Sequence, residues 1–420
     1  MSGEAIIFIE EIVVVLLLIA SVVAIAARRL RIPYTVGLVL IGLLLSLLSP
    51  VAIKITPEII LALLVPPLIF EAAFHLNFDH LRRDFWLILA LALPGVILTT
   101  LMVGGVVAWG TGLSIQVAMV FGALISATDP VAVVALFRRL GVPRRLQVLL
   151  EGESLFNDGT AIVMFNLMLS IALAGQLNVI DSVRQFVTVS GGGVLIGVVL
   201  GIVFSRTIGR IDDPLVETTL TTVLAFGSYL LAEYFHVSGV LSVVAAGIVN
   251  GNAGPTDMSA TTRVVVFNFW EYAAFIANSF AFLLIGLAID LNAMLANWQA
   301  ILWAILAAVA ARMVSIYGFS IFSREIPTRW KHILFWGGLR GAITLALALS
   351  IPEDALPAAT RETLQAMAFG VVLFTLLVQG ISTGWLVRRL KLVQRSDAQN
   401  EYELRHARFV AGRSAYDYLR

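Results

Sequence analysis

Apolar runs of about 20 residues recur along the whole chain with short polar connections between them, and a hydrocarbon core about 30 Å thick is crossed by a helix of that length. The runs fall at 6–27, 33–49, 57–76, 86–108, 115–138, 146–173, 185–206, 216–234, 237–250, 264–288, 299–322, 331–351 and 364–387, the second and ninth being short. A single such run could be a buried core helix, but thirteen in succession could not. The balance agrees: 59% of the 420 residues are hydrophobic and 13% charged, and the mean hydropathy is +0.94. A soluble domain has nowhere to bury so much apolar surface. The expected fold is an all-α membrane protein of about 13 transmembrane helices. Cysteine is absent, which excludes disulfides, thiolate-held metals and thiol chemistry. Residues Met1 to Glu11 are acidic and offer no small-residue cleavage site, so no removable signal peptide is expected.

Lys and Arg give the orientation, since cytoplasmic loops retain them. With the N-terminus outside, 23 of the 28 basic residues fall inside and only Lys54, Arg184 and Arg361 outside. The remaining two, Arg312 and Arg340, lie within spans. Adding or omitting one span would destroy this asymmetry. An odd number of crossings also allows two six-helix halves, 6–173 and 216–387, to enter from opposite faces around a linker helix at 185–206. That is the inverted-repeat plan of many transporters. Residues 1–387 then form the transmembrane domain and 388–420 a short basic cytoplasmic tail near anionic headgroups.

Charges within the spans need a partner, a wet cavity or a function, because each costs about 2.5–3.5 kcal/mol at the helix centre. They are Glu71, Asp129, Glu153, Asp158, Glu271, Arg312 and Arg340. In Ser126-Ala127-Thr128-Asp129-Pro130 the proline removes a backbone donor and clashes one turn back, so the helix should break there and free carbonyls beside a carboxylate. Hard oxygen atoms of this kind suit Na⁺, and unwound backbone survives in a membrane only where it lines a cavity. Asp129 could equally cap the second half-helix. In Glu151-Gly152-Glu153-Ser154-Leu155-Phe156-Asn157-Asp158, residues Ser154 and Asp158 share one helix face and Glu153 and Asn157 the adjacent one. They could be polar packing residues, but the apolar run from Gly159 leaves Asp158 little solvation outside a cavity. Gly337-Gly338-Leu339-Arg340-Gly341 weakens the twelfth run as Pro130 weakens the fifth, so two interrupted helices stand at corresponding places in the halves. Such a pair points to a substrate site at mid-depth. Glu71, behind Pro66-Pro67, lies nearer the cytoplasmic end and could simply reach water.

Four motifs in this order resemble the cation:proton antiporter family, which includes archaeal and bacterial sodium/proton antiporters and the animal sodium/proton exchangers. They are Phe70-Glu71-Ala72, Ala127-Thr128-Asp129-Pro130-Val131, Gly152-Glu153-Ser154-Leu155-Phe156-Asn157-Asp158-Gly159 and Gly338-Leu339-Arg340-Gly341-Ala342. The resemblance covers spans two to thirteen. It implies that Asp158 is the essential ion-binding aspartate of an Asn-Asp pair with Asn157. It implies further that Thr128, through its carbonyl, and Asp129 contribute from the broken helix, with Ser154 and Glu71 as remaining ligands of Na⁺. Glu153 and Arg340 resemble a buried structural ion pair, and Arg312 matches another functional arginine. The resemblance also implies a homodimer with separate core and dimerisation domains, a prokaryotic plasma membrane location and no cofactor beyond the transported ions. The short tail departs from the long regulatory domains of the animal exchangers.

The expected activity is therefore secondary active exchange of Na⁺ or Li⁺ for H⁺, electroneutral because Asn157 cannot carry a second charge, with both ions competing for Asp158. A K⁺/H⁺ antiporter or a cation channel would use the same ligand types. An intramembrane hydrolase is the non-transport alternative, but Gly-x-Ser-x-Gly and His-Glu-x-x-His are missing. Neither enzymatic turnover nor nucleic-acid binding is expected.

Overall fold

The computed structural model describes residues 3–30, 33–48, 60–175, 178–320, 326–393, 402, 405–411, 413 and 414. Arg31, Lys54, Arg324, Arg395 and Arg420 of the charge count, the start of the expected run 57–76 and residues 394–401, 403, 404, 412 and 415–420 of the expected tail lie outside them. The described residues contain helices and no strand. In chain order these are α1 (Gly3–Leu30), α2 (Tyr34–Leu48), a π-helical turn Ile60–Leu64 leading into α3 (Val65–His75), α4 (Phe78–Ala92), α5 (Pro94–Thr111), α6 (Ile115–Leu124), α7 (Val131–Leu140), α8 (Arg144–Ala174) and α9 (Val179–Ile208). There follow α10 (Pro214–Tyr234), α11 (Gly239–Asp257), α12 (Ala260–Ala288), α13 (Leu291–Ala296), α14 (Trp298–Phe319), α15 (Thr328–Trp336), α16 (Ala342–Leu349), α17 (Ala358–Phe374), a second π-helical turn Thr375–Gly380 and α18 (Ile381–Arg389). Among the described residues, seven helical stretches, Phe78–Thr111 and Arg144–Ala174 included, are long and apolar enough to cross a membrane.

The helices fall on the apolar runs, and the departures have local causes. The run expected from residue 86 begins at Phe78, because the Asn77 side chain accepts from the amides of Asp79 and His80 and starts the helix two turns earlier. A short helix that the hydropathy misses, α13, is nucleated by Asp290, whose carboxylate accepts from the amides of Asn292 and Ala293. The fifth run is divided into α6 and α7 and the twelfth into α15 and α16, as Pro130 and the glycines require. At the end of α7, Gly141 takes the left-handed conformation at φ +65°, letting the chain reverse into α8.

The helices pack as two bundles. In one, α9 runs along α11, α2 along α12, and α3 against α11 and α12. Close approach is built from small residues: side chains at Gly193 and Gly197 of α9 would collide with Ser238 and Ser242, and Gly42 of α2 faces Gly286 of α12. Phe70 and Trp270 seal α3 onto α12 with ring centroids 4.4 Å apart. In the other bundle α5 packs on α6 and α14, and α8 on α4 and α6. Helix α8 also meets α3, α9 and α11, so it stands at the seam between the bundles and carries the acidic motif there.

Candidate ion-binding site

The two broken helices cross at their breaks. The Asp129 amide donates to the Leu339 carbonyl at 2.8 Å, the lone β-bridge among the described residues, which ties the 125–130 break to the 337–341 break. A carboxylate oxygen of Asp129 accepts from the Val131 amide at 2.9 Å, so Asp129 caps α7 and lines the crossing at once. On the opposite break the Arg340 amide, freed from any helix, donates to Thr375 Oγ1 at 3.1 Å. Thr344 of α16 donates back to the Ala127 carbonyl at 3.5 Å.

Helix α8 supplies the third side. Asn157 Nδ2 donates to the Ser126 carbonyl at 2.9 Å and to Thr128 Oγ1 at 3.0 Å, satisfying the unwound segment from below. Thr128 and Ser154 hydroxyls lie 3.0 Å apart, and Asp158 lines the same cavity as Thr128. Between these elements lies a cavity of about 60 Å³ lined by Thr128, Asp129, Asp158, Gly341, Thr344 and the apolar side chains of α3. Such a space holds a small ion with a few waters. Among the described residues neither Asp129 nor Asp158 has a Lys, Arg or His within ion-pair distance, although Asp158 is buried and Asp129 half-buried. A buried carboxylate such as Asp158 without a cationic side chain requires a cation or a proton in its place.

Several residues stand elsewhere than the sequence suggests. Glu153 does not pair with Arg340. Both its oxygens accept from Arg312, at 2.6 and 2.9 Å, and Arg312 also donates to the Leu334 carbonyl at 2.9 Å. Arg340 turns back along its own broken segment to donate to the Gly338 carbonyl at 2.8 Å. The reason is geometric: Gly338 has no side chain, so the Arg312 guanidinium presses against the break and occupies the place next to Glu153. Ser154 lies behind Thr128 and orients its hydroxyl instead of facing the cavity. Glu71 is likewise not in this pocket. Leu68 and Ala72, one turn apart on α3, face the carboxylates, while Glu71 is rotated by about 100° into an adjoining cavity of about 280 Å³ with Tyr34, Arg138, Glu151, Glu271 and Asn278. There Glu71 lies 3.3 Å from His75 Nδ1, and His75 Nε2 lies 3.9 Å from Glu271.

Other polar residues of the region escaped the sequence reading. Asp84 and Arg145 form a half-buried bidentate pair at 2.7 and 2.5 Å, and both lie just outside the expected apolar runs. Tyr34 and Asn278 hydrogen-bond across the adjoining cavity. Thr344 lies three residues beyond Gly341, and Thr375, far from both breaks along the chain, carries no sequence signal.

Gly341 is the tightest point: a Cβ there would fall on the Asp129 carboxylate, although its backbone angles suit any residue. Forcing Asp129 aside should cost about 1–3 kcal/mol, so Gly341→Ala is expected to slow any transport through this pocket roughly 5- to 150-fold. Gly105→Ala, where a methyl meets open space, is the matched control. Initial rates in proteoliposomes compare the two.

The family model described as "Sodium/hydrogen exchanger, transmembrane" matches residues 14–389. The Na(+)/H(+) antiporter ApNhaP of Aphanothece halophytica is 41% identical over 95% of this chain and 77% of its own length. The Na(+)/H(+) antiporter NhaG of Bacillus atrophaeus is 38% identical over 92% of this chain and 76% of its own. Among solved structures, that of the sodium proton antiporter MjNhaP1 from Methanocaldococcus jannaschii superposes with a TM-score of 0.78 at 21% identity, covering 93% of this chain and all of that one. At that identity the likeness is one of fold.

Proposed function

The chain belongs to the transmembrane sodium/hydrogen exchanger family, and from that premise we propose that it exchanges Na⁺, or Li⁺, for H⁺ by alternating access, the two ions competing for Asp158. The observation that carries this reading is the crossing of two broken helices beside a buried carboxylate that no cationic side chain neutralises. Carboxylate, hydroxyl and freed carbonyl oxygens are hard ligands, the kind a small alkali cation accepts in exchange for water.

The cation is held by Asp158 with Thr128 and Asp129, Ser154 and Asn157 keeping Thr128 in place. Protonation of Asp158 removes the charge that holds the cation, so either ion neutralises the carboxylate and neither binds with the other. A neutralised site can cross the low-dielectric interior, whereas a bare carboxylate there is expensive. Since Asn157 is an amide already engaged with the broken helix, one carboxylate changes charge per cycle and the exchange is one for one. The cavity holding Glu71, Glu151 and Glu271 shares Leu68, Ala72, Pro130 and Val131 with the pocket and serves as its aqueous approach, where acidic side chains concentrate cations.

The same reading includes thirteen crossings with the N-terminus outside and the tail cytoplasmic, two inverted halves around α9, a homodimer and a prokaryotic plasma membrane. The basic-residue asymmetry supports the orientation, and the family supports the assembly.

Competition has a quantitative signature. If one carboxylate serves both ions, apparent Na⁺ half-saturation rises about tenfold per pH unit on the acid side of the site's titration while the maximal rate at saturating Na⁺ holds. Fluorescence-quench exchange assays across two pH units measure it. Half-saturation that stays constant while the rate falls would place the proton elsewhere.

A further inference from the structure

Behind the ion approach lies a second cavity of about 260 Å³, with walls from α1, α7, α12 and α18. Tyr34, Ala135 and Phe275 separate the two, each lining both, and the rings of Tyr34 and Phe275 stack at 5.9 Å. Its walls are mostly small, Ala24, Ala27, Ala132, Gly380 and Gly384, which leaves width for a chain rather than a packed side chain. At its rim Ile381 is exposed, an apolar side chain on the outer surface of the helices.

All the charge in the lining is positive. Arg139, in the last turn of α7, and Arg388, in the last turn of α18, both line the cavity, and it contains no carboxylate. Among the described residues neither has an ion pair. Arg388 uses its Nε on the Gly384 carbonyl at 3.2 Å, leaving its terminal nitrogens uncommitted. The neighbouring arginines differ: Arg138 bonds Glu151 at 3.2 Å, and Arg389 lies over the Trp385 ring at 4.9 Å. Arginines in a last helical turn already complement the helix dipole, but that role needs neither a shared cavity nor two helices converging on it.

We propose that this cavity binds one anionic phospholipid, its phosphate held between Arg139 and Arg388 and an acyl segment lying in the small-residue cleft. Planar guanidinium groups match a phosphate in charge and geometry, and an apolar cleft opening on lipid adds the contribution that free phosphate lacks. The bound lipid packs on α7, whose other end carries Asp129, so it braces the broken helix from the side opposite the ion approach. The proposal concerns binding and stands whether or not the exchange reading holds.

The test uses the purified full chain, stripped of lipid in detergent and titrated with phosphatidylglycerol, phosphatidylcholine or inorganic phosphate, with bound lipid counted by native mass spectrometry. One phosphatidylglycerol per chain should bind about tenfold tighter than phosphatidylcholine, and Arg139→Gln/Arg388→Gln should abolish that preference. Gly384→Leu keeps both arginines and fills the cleft, since a Cβ there meets nothing nearer than 3.5 Å; it should weaken phosphatidylglycerol as well. An unchanged melting temperature certifies each variant. Equal binding of the two lipids by the wild-type chain, a preference surviving the double arginine change, or displacement of the lipid by equimolar inorganic phosphate would each overturn the assignment.

Discussion

Asp158→Asn is expected to reduce Na⁺-dependent proton movement to the level of protein-free vesicles while the protein stays folded. An amide can neither hold a cation by charge nor release a proton near neutrality, so both half-cycles fail together. Stability should not fall with activity. The substitution removes a buried carboxylate that has no cationic side chain within ion-pair distance among the described residues, so the melting temperature in detergent should hold or rise. Exchange traces and a thermal melt of one preparation test both statements. Residual exchange well above background would move the ion site away from α8. Asp129→Asn should behave differently, because an amide can still cap α7 through its oxygen and only the second carboxylate charge is lost. Exchange should then be weakened through Na⁺ affinity more than through the maximal rate.

The second large effect concerns Glu153 and Arg312. Arg312→Met leaves the Glu153 carboxylate, 1% exposed, with only Asn157 Nδ2 at 3.5 Å among the described residues. Breaking a buried pair from one side costs about 3–5 kcal/mol, whereas replacing both members by apolar groups of similar volume is often close to neutral. Glu153→Leu/Arg312→Met should therefore melt well above Arg312→Met alone. Arg340→Met should not be rescued to the same degree by Glu153→Leu, because Arg340 donates to Gly338 and not to Glu153. A larger rescue through Arg340 would mean that the pair exchanges partners in solution.

The fold was legible in the sequence, and so were the two helix breaks that flank the candidate pocket, for a physical reason. Lipid forces every backbone group to be satisfied within a helix, so apolar length reports directly on structure and any interruption is conspicuous. Pro130 and the glycines from Gly337 to Gly341 announced the two breaks, and the charges inside apolar runs announced what the breaks surround. Pairings were less legible. Glu153 had two buried arginines to choose between, Arg312 and Arg340, and nothing in linear spacing says that a missing side chain at Gly338 lets Arg312 through. Helix rotation was hidden for a related reason. Helix α3 is apolar nearly all round, so the pattern does not say whether Glu71 or Ala72 faces the carboxylates, and the structure chooses Ala72. Asp84 and Arg145 were lost to a boundary, since the expected run began two residues beyond Asp84, while its helix begins at Phe78.

In the proposed mechanism a metal cation and a hydrogen ion exclude each other at one carboxylate between the crossed helices. Proton release on Na⁺ binding tests it without transport: purified protein in weakly buffered detergent, held at a pH where the site is protonated, receives NaCl while pH and bound Na⁺ are followed together. About one proton should leave per cation bound, and Asp158→Asn should release none. Na⁺ binding with no proton released, or with the same release from Asp158→Asn, would contradict the account.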